Sequence, residues 1–241
     1  QSAIIHQTAG IKSKIKTEKN TNLKGKTLIL FADNHYGNIF NEKDAEKLVK
    51  KINSIKGDLV LIPGDLFDGP RIDFEKIAKI LEKINKPVFF AAGNHEEYGD
   101  TKAILGALLK TDFYVLNNET IDFDGIKISG VTYSENHNKE NFEKNLKNIS
   151  PENNTFNILI KHEPKFIDIA EKYNYDLAVY GHTHKGQMWP FSMIAGKIYG
   201  KYVYGLNNNG GKYSLTTSGI GGWGPPQRLG SRSEIVLIHV K

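Results

Sequence analysis

Five short apolar segments, each followed directly by polar residues that can bind metal, constrain the fold of this chain more than any other feature. The segments cover residues 27–32, 59–62, 87–91, 156–161 and 177–180. The polar clusters that follow them are Asp33-Asn34-His35, Gly64-Asp65-Leu66-Phe67-Asp68, Gly93-Asn94-His95-Glu96, His162-Glu163 and Gly181-His182-Thr183-His184. Apolar runs of this length predict buried strands. Because ligands of open α/β sheets bind beyond the carboxyl ends of the strands, the five clusters are expected to converge.

Amphipathic segments between the apolar runs predict helices. Asn41 is a candidate N-cap for a helix whose apolar face includes Ala45, Leu48 and Ile52. Further helices are expected near residues 74–84, 101–109 and 138–148, and a hairpin is expected to turn at Asp124-Gly125. Strands are also expected near 113–116, 213–217 and 234–240. This alternation indicates an α/β or α+β fold with two packed sheets and helices outside. The length of 241 residues fits one domain spanning residues 1–241.

Composition excludes several classes of site. The chain contains no cysteine, so disulfides, zinc-thiolate sites and cysteine nucleophiles are ruled out, and His, Asp, Glu and Asn must hold any metal. The net charge of +5 suits an anionic substrate or surface, and it equally suits a solvated lysine-rich surface. No apolar run is long enough to cross a bilayer and no secretory signal is evident. The chain begins at Gln1, and an anchor before it would bring the basic stretch 12–26 to a membrane.

The polar clusters contain the residue types that a centre of two metal ions needs. In Asp33-x-His35 and His182-x-His184, alternate side chains would point to the same side if the backbone stayed extended. Carboxylate, imidazole and amide donors together suit Mn, Fe or Zn better than Ca. The alternative for any single cluster is a turn or a cap. Asp68 is interpreted as a structural residue or as a support for the ligands more readily than as a ligand, and Glu96 and Glu163 are ambiguous between the two roles. His6, His137 and His239 are interpreted as surface or packing residues.

The ordered series DxH, GDxxD, GNHE, H and GHxH resembles the calcineurin-like metallophosphoesterase superfamily. The match runs from Asp33 to His184. The segment 181–187, which reads GHTHKGQ, and the segment 228–235, which reads RLGSRSEI, resemble the bacterial membrane-associated branch, in which the first usually reads GHTHGGQ. Lys185 therefore replaces a glycine; its charge could meet a substrate phosphate or its side chain could point to solvent, and solvent is the favoured interpretation. Asn34 stands where the family often has Leu.

The resemblance implies a four-layer αββα sandwich of two mixed β-sheets with two divalent metal ions at the sheet edge. Asp33, His35, Asp65 and His184 would hold one ion, and Asp65, Asn94, His162 and His182 the other. His95 would be catalytic, stabilising a phosphate oxygen or protonating the leaving group. A metal-bound hydroxide would be the nucleophile, and phosphodiesters or pyrophosphates are the favoured substrates. Relatives in this branch include enzymes that cleave the pyrophosphate of a UDP-sugar lipid precursor.

Two other functions remain open. One is a binding module on a degenerate phosphoesterase fold, although here none of the expected ligands is lost. The other is a nuclease of the same superfamily, but the sequence has no stripe of Lys or Arg interleaved with aromatic residues, which argues against a nucleic-acid partner. The expected partner is a small phosphorylated or lipid-linked substrate. No protein partner is evident, and the location is expected to be membrane-associated or cytoplasmic.

The glycine-rich tail gives a weaker signal. Trp189, Trp223 and Arg228 could form a flap or groove wall. The favoured interpretation is an ordinary loop region that packs its aromatic side chains, since lone aromatic residues usually belong to a core.

Overall fold

The computed structural model describes residues 9–19, 21–37, 39–69, 72–225 and 227–241. His6 and the ends of the predicted domain 1–241 lie partly outside these ranges. The strands are β1 (Ala9–Ile15), β2 (Thr27–Leu30), β3 (Tyr36–Gly37), β4 (Leu59–Pro63), β5 (Phe67–Asp68), β6 (Val88–Ala91), β7 (Tyr114–Val115), β8 (Glu119–Phe123), β9 (Ile126–Gly130), β10 (Phe156–Ile160), β11 (Leu177–Tyr180), β12 (Gly205–Asn209), β13 (Lys212–Thr216) and β14 (Glu234–Val240).

The α-helices of the described residues are α1 (Glu42–Ser54), α2 (Phe74–Leu81), α3 (Asn94–Tyr98), α4 (Thr101–Leu108), α5 (Lys139–Ile149), α6 (Ile167–Lys172) and α7 (Phe191–Tyr199). The predicted cap of α1 is confirmed, because the Asn41 side chain accepts a hydrogen bond from the backbone N–H of Lys43. Short 3₁₀ turns cover Ser134–Asn136, His184–Gly186 and Gly200–Val203. None of the described helices combines the length and the apolar character needed to span a bilayer.

Two six-stranded mixed sheets form the centre of the molecule. The first has the order β1-β14-β2-β4-β6-β7, and the second has the order β12-β13-β11-β10-β9-β8. β2, β4 and β6 are mutually parallel, as are β9, β10, β11 and β13. The predicted hairpin is confirmed as β8 and β9, with Asp124 and Gly125 both at positive φ between them. A small parallel pair, β3 and β5, lies beside the first sheet's strand ends.

Alternation along the strands divides the core into layers. In β2, Leu28 and Leu30 pack between the two sheets, whereas Ile29 packs outward under α1 and α2. In β10, Ile158 likewise faces the first sheet, and Leu159 packs outward against residues of α5 and α6. Because both faces of these strands are covered, their sequences are mostly apolar, with Thr27 in β2 and Asn157 in β10 as the polar exceptions. The predicted αββα sandwich is therefore confirmed, with a helical layer on each outer face.

Candidate metal centre

The five polar clusters converge at one edge of the two sheets. Asp33, Asp65 and Asn94 follow β2, β4 and β6 of the first sheet, and His162 and His182 follow β10 and β11 of the second. Four of these five are at most about 6% exposed, although they are polar, and His182 is partly buried. Parallel strands in both sheets bring their carboxyl ends to the same side of the molecule. The convergence expected from the sequence is thus present in the fold.

The backbone at this edge is unusual. Asp33, His35, Asp65, His182 and His184 all have positive φ, between 48° and 70°. Non-glycine residues rarely adopt this left-handed region, and they do so mainly where surrounding structure enforces it at a functional site. The extended backbone assumed for Asp33-x-His35 and His182-x-His184 is therefore wrong. The strands end before these residues, and a left-handed turn directs each side chain separately.

The first group of facing donors contains Asp33, His35 and His184. The Nε2 atoms of His35 and His184 lie 3.1 Å apart. Nε2 of His184 lies 3.8 Å from Oδ1 of Asp33, and Nε2 of His35 lies 3.8 Å from Oδ2 of Asp65. Two imidazole nitrogens at 3.1 Å can share only one proton, and a cation placed among these three side chains and Asp65 would accept one lone pair from each of the four. These residues can hold one metal ion.

The second group contains Asp65, Asn94, His162 and His182. Oδ2 of Asp65 lies 3.1 Å from Nε2 of His162, and Oδ1 of Asn94 lies 3.0 Å from the same nitrogen. Nδ1 of His182 lies 2.9 Å from Oδ1 of Asn94 and 3.2 Å from Nε2 of His162. The same Asp65 oxygen therefore faces both groups. His184 belongs to the first group and His182 to the second. The two side chains therefore do not face one cation from the same direction, although their spacing suggested that they would.

Backbone and carbonyl groups orient these donors. Nδ1 of His162 lies 2.6 Å from the carbonyl oxygen of Pro63 and must donate to it, which leaves Nε2 free to bind a cation. The backbone N–H of His182 donates to both oxygens of Asp33, at 3.0 and 3.1 Å. The N–H of His95 donates to Oδ1 of Asp65 at 2.9 Å, so Oδ2 is the oxygen that remains for both groups.

Two glycines allow the strand ends to approach each other. A Cβ atom on Gly181 would lie 2.7 Å from Oδ2 of Asp33, and a Cβ on Gly93 would collide with the carboxylate of Asp65. At either position the added Cβ would be closer than normal van der Waals contact, so any larger residue would displace a metal-capable carboxylate. The close approach of the strand ends therefore requires glycine at both positions.

Burial controls the protonation of the cluster. Burial raises the pKa of Asp33 to about 7, and it lowers the pKa of His35 and of His182 to about 4. Burial lowers the pKa of His184 well below its usual value, and the neighbouring charges of His35 and Arg228 add to this effect. These three imidazoles are neutral at pH 7, which is the form that binds metal.

His162 and Asp65 form an ion pair. Burial opposes the charge on His162, but the carboxylate of Asp65 outweighs it and raises the pKa of His162 to about 9. Burial likewise opposes the charge on Asp65, yet His162 holds its pKa below the usual range. A cation bound between them would take the place of the proton on Nε2.

His95 lies beside the cluster in a different setting. Its Nδ1 lies 2.9 Å from Oδ1 of Asp68, and its ring centroid lies 4.6 Å from that of His35. His95 could also contribute to a third group of donors with His35 and Asp65. Because Asp68 engages Nδ1, the free nitrogen is Nε2, and the side chain lines the cavity in front of the cluster. Asp68 is thus placed to orient His95.

The two glutamates that the sequence left ambiguous have structural contacts. Glu96 is fully buried and accepts backbone hydrogen bonds from Asp65, Phe67 and Gly93, at 2.8, 3.0 and 2.8 Å. Its carboxylate therefore ties the turn after β4 to the turn after β6. Glu163 accepts from the hydroxyl of Tyr199 at 2.9 Å, pairs with Lys165 at 2.8 Å and lies 3.9 Å from Nε2 of His182.

The tail contributes residues that sequence reasoning did not assign. Arg228 donates to the carbonyl oxygens of Ser218 and Gly221, at 2.8 and 2.6 Å, and its Nη2 lies 3.4 Å from Nδ1 of His184. The Gln187 side chain donates to the carbonyl oxygen of Trp223 at 2.7 Å and accepts from its N–H at 2.8 Å. Gln187 lies in the segment 181–187 and Arg228 in the segment 228–235. The resemblance of these segments to the bacterial membrane-associated branch was the sequence signal that could have pointed to both residues.

Three expectations for this region need correction or refinement. Trp189 and Trp223 are 65% and 60% exposed, so the interpretation of packed aromatic residues is wrong. Trp223 instead lines the cavity in front of the metal-capable cluster, as a groove wall would. The ammonium of Lys185 lies 4.4 Å from the ring centroid of Tyr204, so it stacks on an aromatic face and does not simply point to solvent.

The histidines outside the clusters agree with their interpretation where they are described. His137 is exposed, and Nδ1 of His239 lies 2.8 Å from the hydroxyl of Thr27, which is a packing contact.

Comparison with solved structures supports the architecture. The inner-membrane-complex anchor GAP50 of Plasmodium aligns with 86% of this chain and 75% of its own, at a TM-score of 0.50 and 12% identity. At that identity the likeness concerns the fold alone.

Comparison with known sequences identifies the family of the chain. An uncharacterized metallophosphoesterase of Campylobacter jejuni is 33% identical over 220 residues, which cover 89% of this chain and 59% of that protein. A metallophosphoesterase of Aquifex aeolicus is 29% identical over 94% of this chain and 88% of its own length. The chain thus spans about 59% of the length of the Campylobacter relative. The family model for calcineurin-like phosphoesterases matches residues 26–186, the segment that holds every side chain of the cluster, and the chain belongs to this family.

Proposed function

We propose that the protein hydrolyses a phosphoester bond with two divalent metal ions, and that phosphodiesters or pyrophosphates are its preferred substrates. The observation that carries the proposal is the pair of donor groups that share one oxygen of Asp65. Nε2 of His35 lies 3.8 Å from that oxygen on one side, and Nε2 of His162 lies 3.1 Å from it on the other. A carboxylate oxygen in that position can bridge two cations.

The residues fit such a pair of ions by their chemistry. Asp33, His35, Asp65 and His184 would hold one ion, and Asp65, Asn94, His162 and His182 the other. The donors are oxygen and imidazole nitrogen only, which favours Mn, Fe or Zn. The facing imidazole nitrogens lie 3.1 Å apart in His35 and His184 and 3.2 Å apart in His162 and His182, and each pair can share only one proton, as expected for a preformed metal site.

Residues of the chain would donate the proton to the leaving group and orient the metal ligands. When bound, the two cations lower the pKa of a coordinated water and neutralise the charge of the phosphate. Asp68 holds Nδ1 of His95, which leaves Nε2 to donate a proton or hydrogen bond to the leaving oxygen. With its carboxylate 3.9 Å from Nε2 of His182, Glu163 would favour the ring orientation in which Nδ1 can bind the second ion.

The test is hydrolysis of bis(p-nitrophenyl) phosphate by protein loaded with Mn, alongside elemental analysis. We expect two ions per chain, loss of activity on chelation and recovery on adding Mn. Asn94→Ala and His95→Ala should both be far less active, whereas Asp112→Asn, which removes an exposed carboxylate remote from the cluster, should behave as the parent. Equal activity in all of these variants would contradict the residue assignments.

The same experiment addresses the other two functions. Protein that binds neither Mn nor Zn and hydrolyses nothing would indicate a binding module. Preferential, strongly salt-dependent cleavage of DNA would indicate a nuclease, because binding to phosphates releases counterions.

A further inference from the structure

The large apolar side chains that the described residues expose are concentrated around the candidate metal centre. A cavity of about 580 Å³ opens in front of it, within the range typical of small-molecule sites. One side of this cavity, the polar wall, consists of Asp65, Asn94, His95, His182 and His184. The opposite side, the apolar wall, consists of Phe191, Ile194, Ala195, Ile198 and Trp223. Except for Ala195, each apolar-wall side chain is more than half exposed.

Helix α7 carries most of the apolar wall in an unusual way. A surface helix normally buries an apolar stripe with spacing i, i+3, i+4 and i+7 against the core. Residues 191, 194, 195 and 198 have this spacing, yet no residue of α7 is buried. The stripe faces the cavity instead. Met193, on another side of the helix, is also exposed but does not line the cavity.

Specific contacts hold the apolar wall in place beside the cluster. At the end of α7, the Tyr199 hydroxyl donates to Glu163, which in turn lies next to His182. Gln187 fixes the backbone of Trp223 through two hydrogen bonds. The apolar surface is therefore preformed at a fixed position relative to the metal-capable residues, as a ligand-binding wall requires.

We propose that the apolar wall binds an alkyl or acyl chain of the substrate, so that the protein acts on the phosphoester of an amphiphile. This inference rests on the proposed phosphoesterase function, because the phosphate group attached to the alkyl or acyl chain must reach the polar wall. The alkyl or acyl chain would lie along the stripe of α7, and Trp223 would cover its other side. Burial of that chain would remove the exposed apolar surface from water.

The decisive measurement is the dependence of kcat/KM on chain length. Methyl, butyl and octyl p-nitrophenyl phosphate are compared, each below its critical micelle concentration and with Mn present. Each buried methylene is worth about fourfold. If about half of the seven additional methylenes are buried, the octyl diester should exceed the methyl diester by about a hundredfold.

Substitutions on α7 locate the effect. Ile194→Ser and Ile198→Ser should each reduce the octyl-to-methyl ratio by about tenfold, because they remove apolar contact area from the stripe. Met193→Ser is the matched control, since it makes the same kind of change on the same exposed helix outside the cavity. It should keep the parental ratio.

A direct binding measurement separates this inference from the proposed function. Calorimetric titration of octylphosphonate and methylphosphonate into Mn-loaded protein needs no turnover. Stronger binding of octylphosphonate that Ile198→Ser removes supports the apolar wall, even if no diester is hydrolysed. Equal affinities, or a preference that Ile194→Ser and Ile198→Ser both retain, would overturn it. A chain-length effect that arises only above the critical micelle concentration would also overturn it and indicate binding to a lipid surface.

Discussion

The polar and apolar walls of the same cavity are built in opposite ways. The polar wall lies at the ends of β4, β6 and β11 and is largely buried; the backbone N–H of His95 holds the Asp65 carboxylate, and Asp68 and Asn94 contact the imidazoles of His95 and His182. The apolar wall lies on α7 and the tail, and most of its side chains are more than half exposed. The difference indicates that the polar wall is organised before any substrate arrives, whereas the apolar wall completes its contacts only with a ligand. Substitutions should therefore affect chemistry on one side and substrate choice on the other.

The largest effect is expected at the shared oxygen of the polar wall. Asp65→Asn should lower kcat/KM by at least about 10⁴-fold, because both proposed cations would depend on this carboxylate and each would contribute several kcal/mol of charge stabilisation. Elemental analysis should find fewer than two ions per chain. Asp112→Asn is the control with the same chemical change. Retention of two ions and of activity in Asp65→Asn would contradict the bridging assignment.

A smaller effect should follow from substitutions that leave the metal ligands intact. His95→Asn should lower kcat by roughly a hundredfold with two ions still bound, because it removes only the proton donor. Asp68→Asn should cost about tenfold, since it acts through the orientation of His95. The double variant should be no worse than His95→Asn alone. Independent, multiplied losses would show that Asp68 does not act through His95.

The buried support of the polar wall should affect stability. Glu96→Gln leaves at least one of three backbone N–H groups without an acceptor, so the free energy of unfolding should fall by about 1–3 kcal/mol. Urea denaturation measures this change. Glu82→Gln, at an exposed position after α2, makes the same replacement and should leave the midpoint unchanged. An unchanged midpoint in Glu96→Gln would mean that these hydrogen bonds do not hold the two turns together.

The smallest effect is expected on the apolar wall. Ile198 is 61% exposed, so Ile198→Ser should change the free energy of unfolding by no more than about 0.5 kcal/mol and should retain two ions per chain. Denaturation and elemental analysis check both values. Marked destabilisation would remove the contrast between the two walls, because it would make α7 part of the core.

The sequence predicted the central strands and their polar ends correctly because those signals are local. Apolar runs such as 59–62 and 177–180 mark strands buried on both faces, and Asn41 marks the start of α1. It did not predict α6, α7, β1 or β12. The segment of α7 does carry the helical spacing 191, 194, 195 and 198, but Gly196 within it and Gly186 and Gly200 beside it favoured a loop interpretation. β1 pairs with β14, more than 200 residues later, and nothing local reports such a partner.

By itself the sequence determined which atoms are available as ligands and which strand each one follows. Without cysteine, a metal site in this chain must use carboxylate, imidazole and amide donors. Only the tertiary structure decided how they are grouped. His182 and His184 are two residues apart, yet left-handed turns direct them to different donor groups, and Arg228 reaches His184 from the far end of the chain. Side-chain direction at a strand end depends on the turn that the packed sheets impose, and spacing along the chain does not encode it.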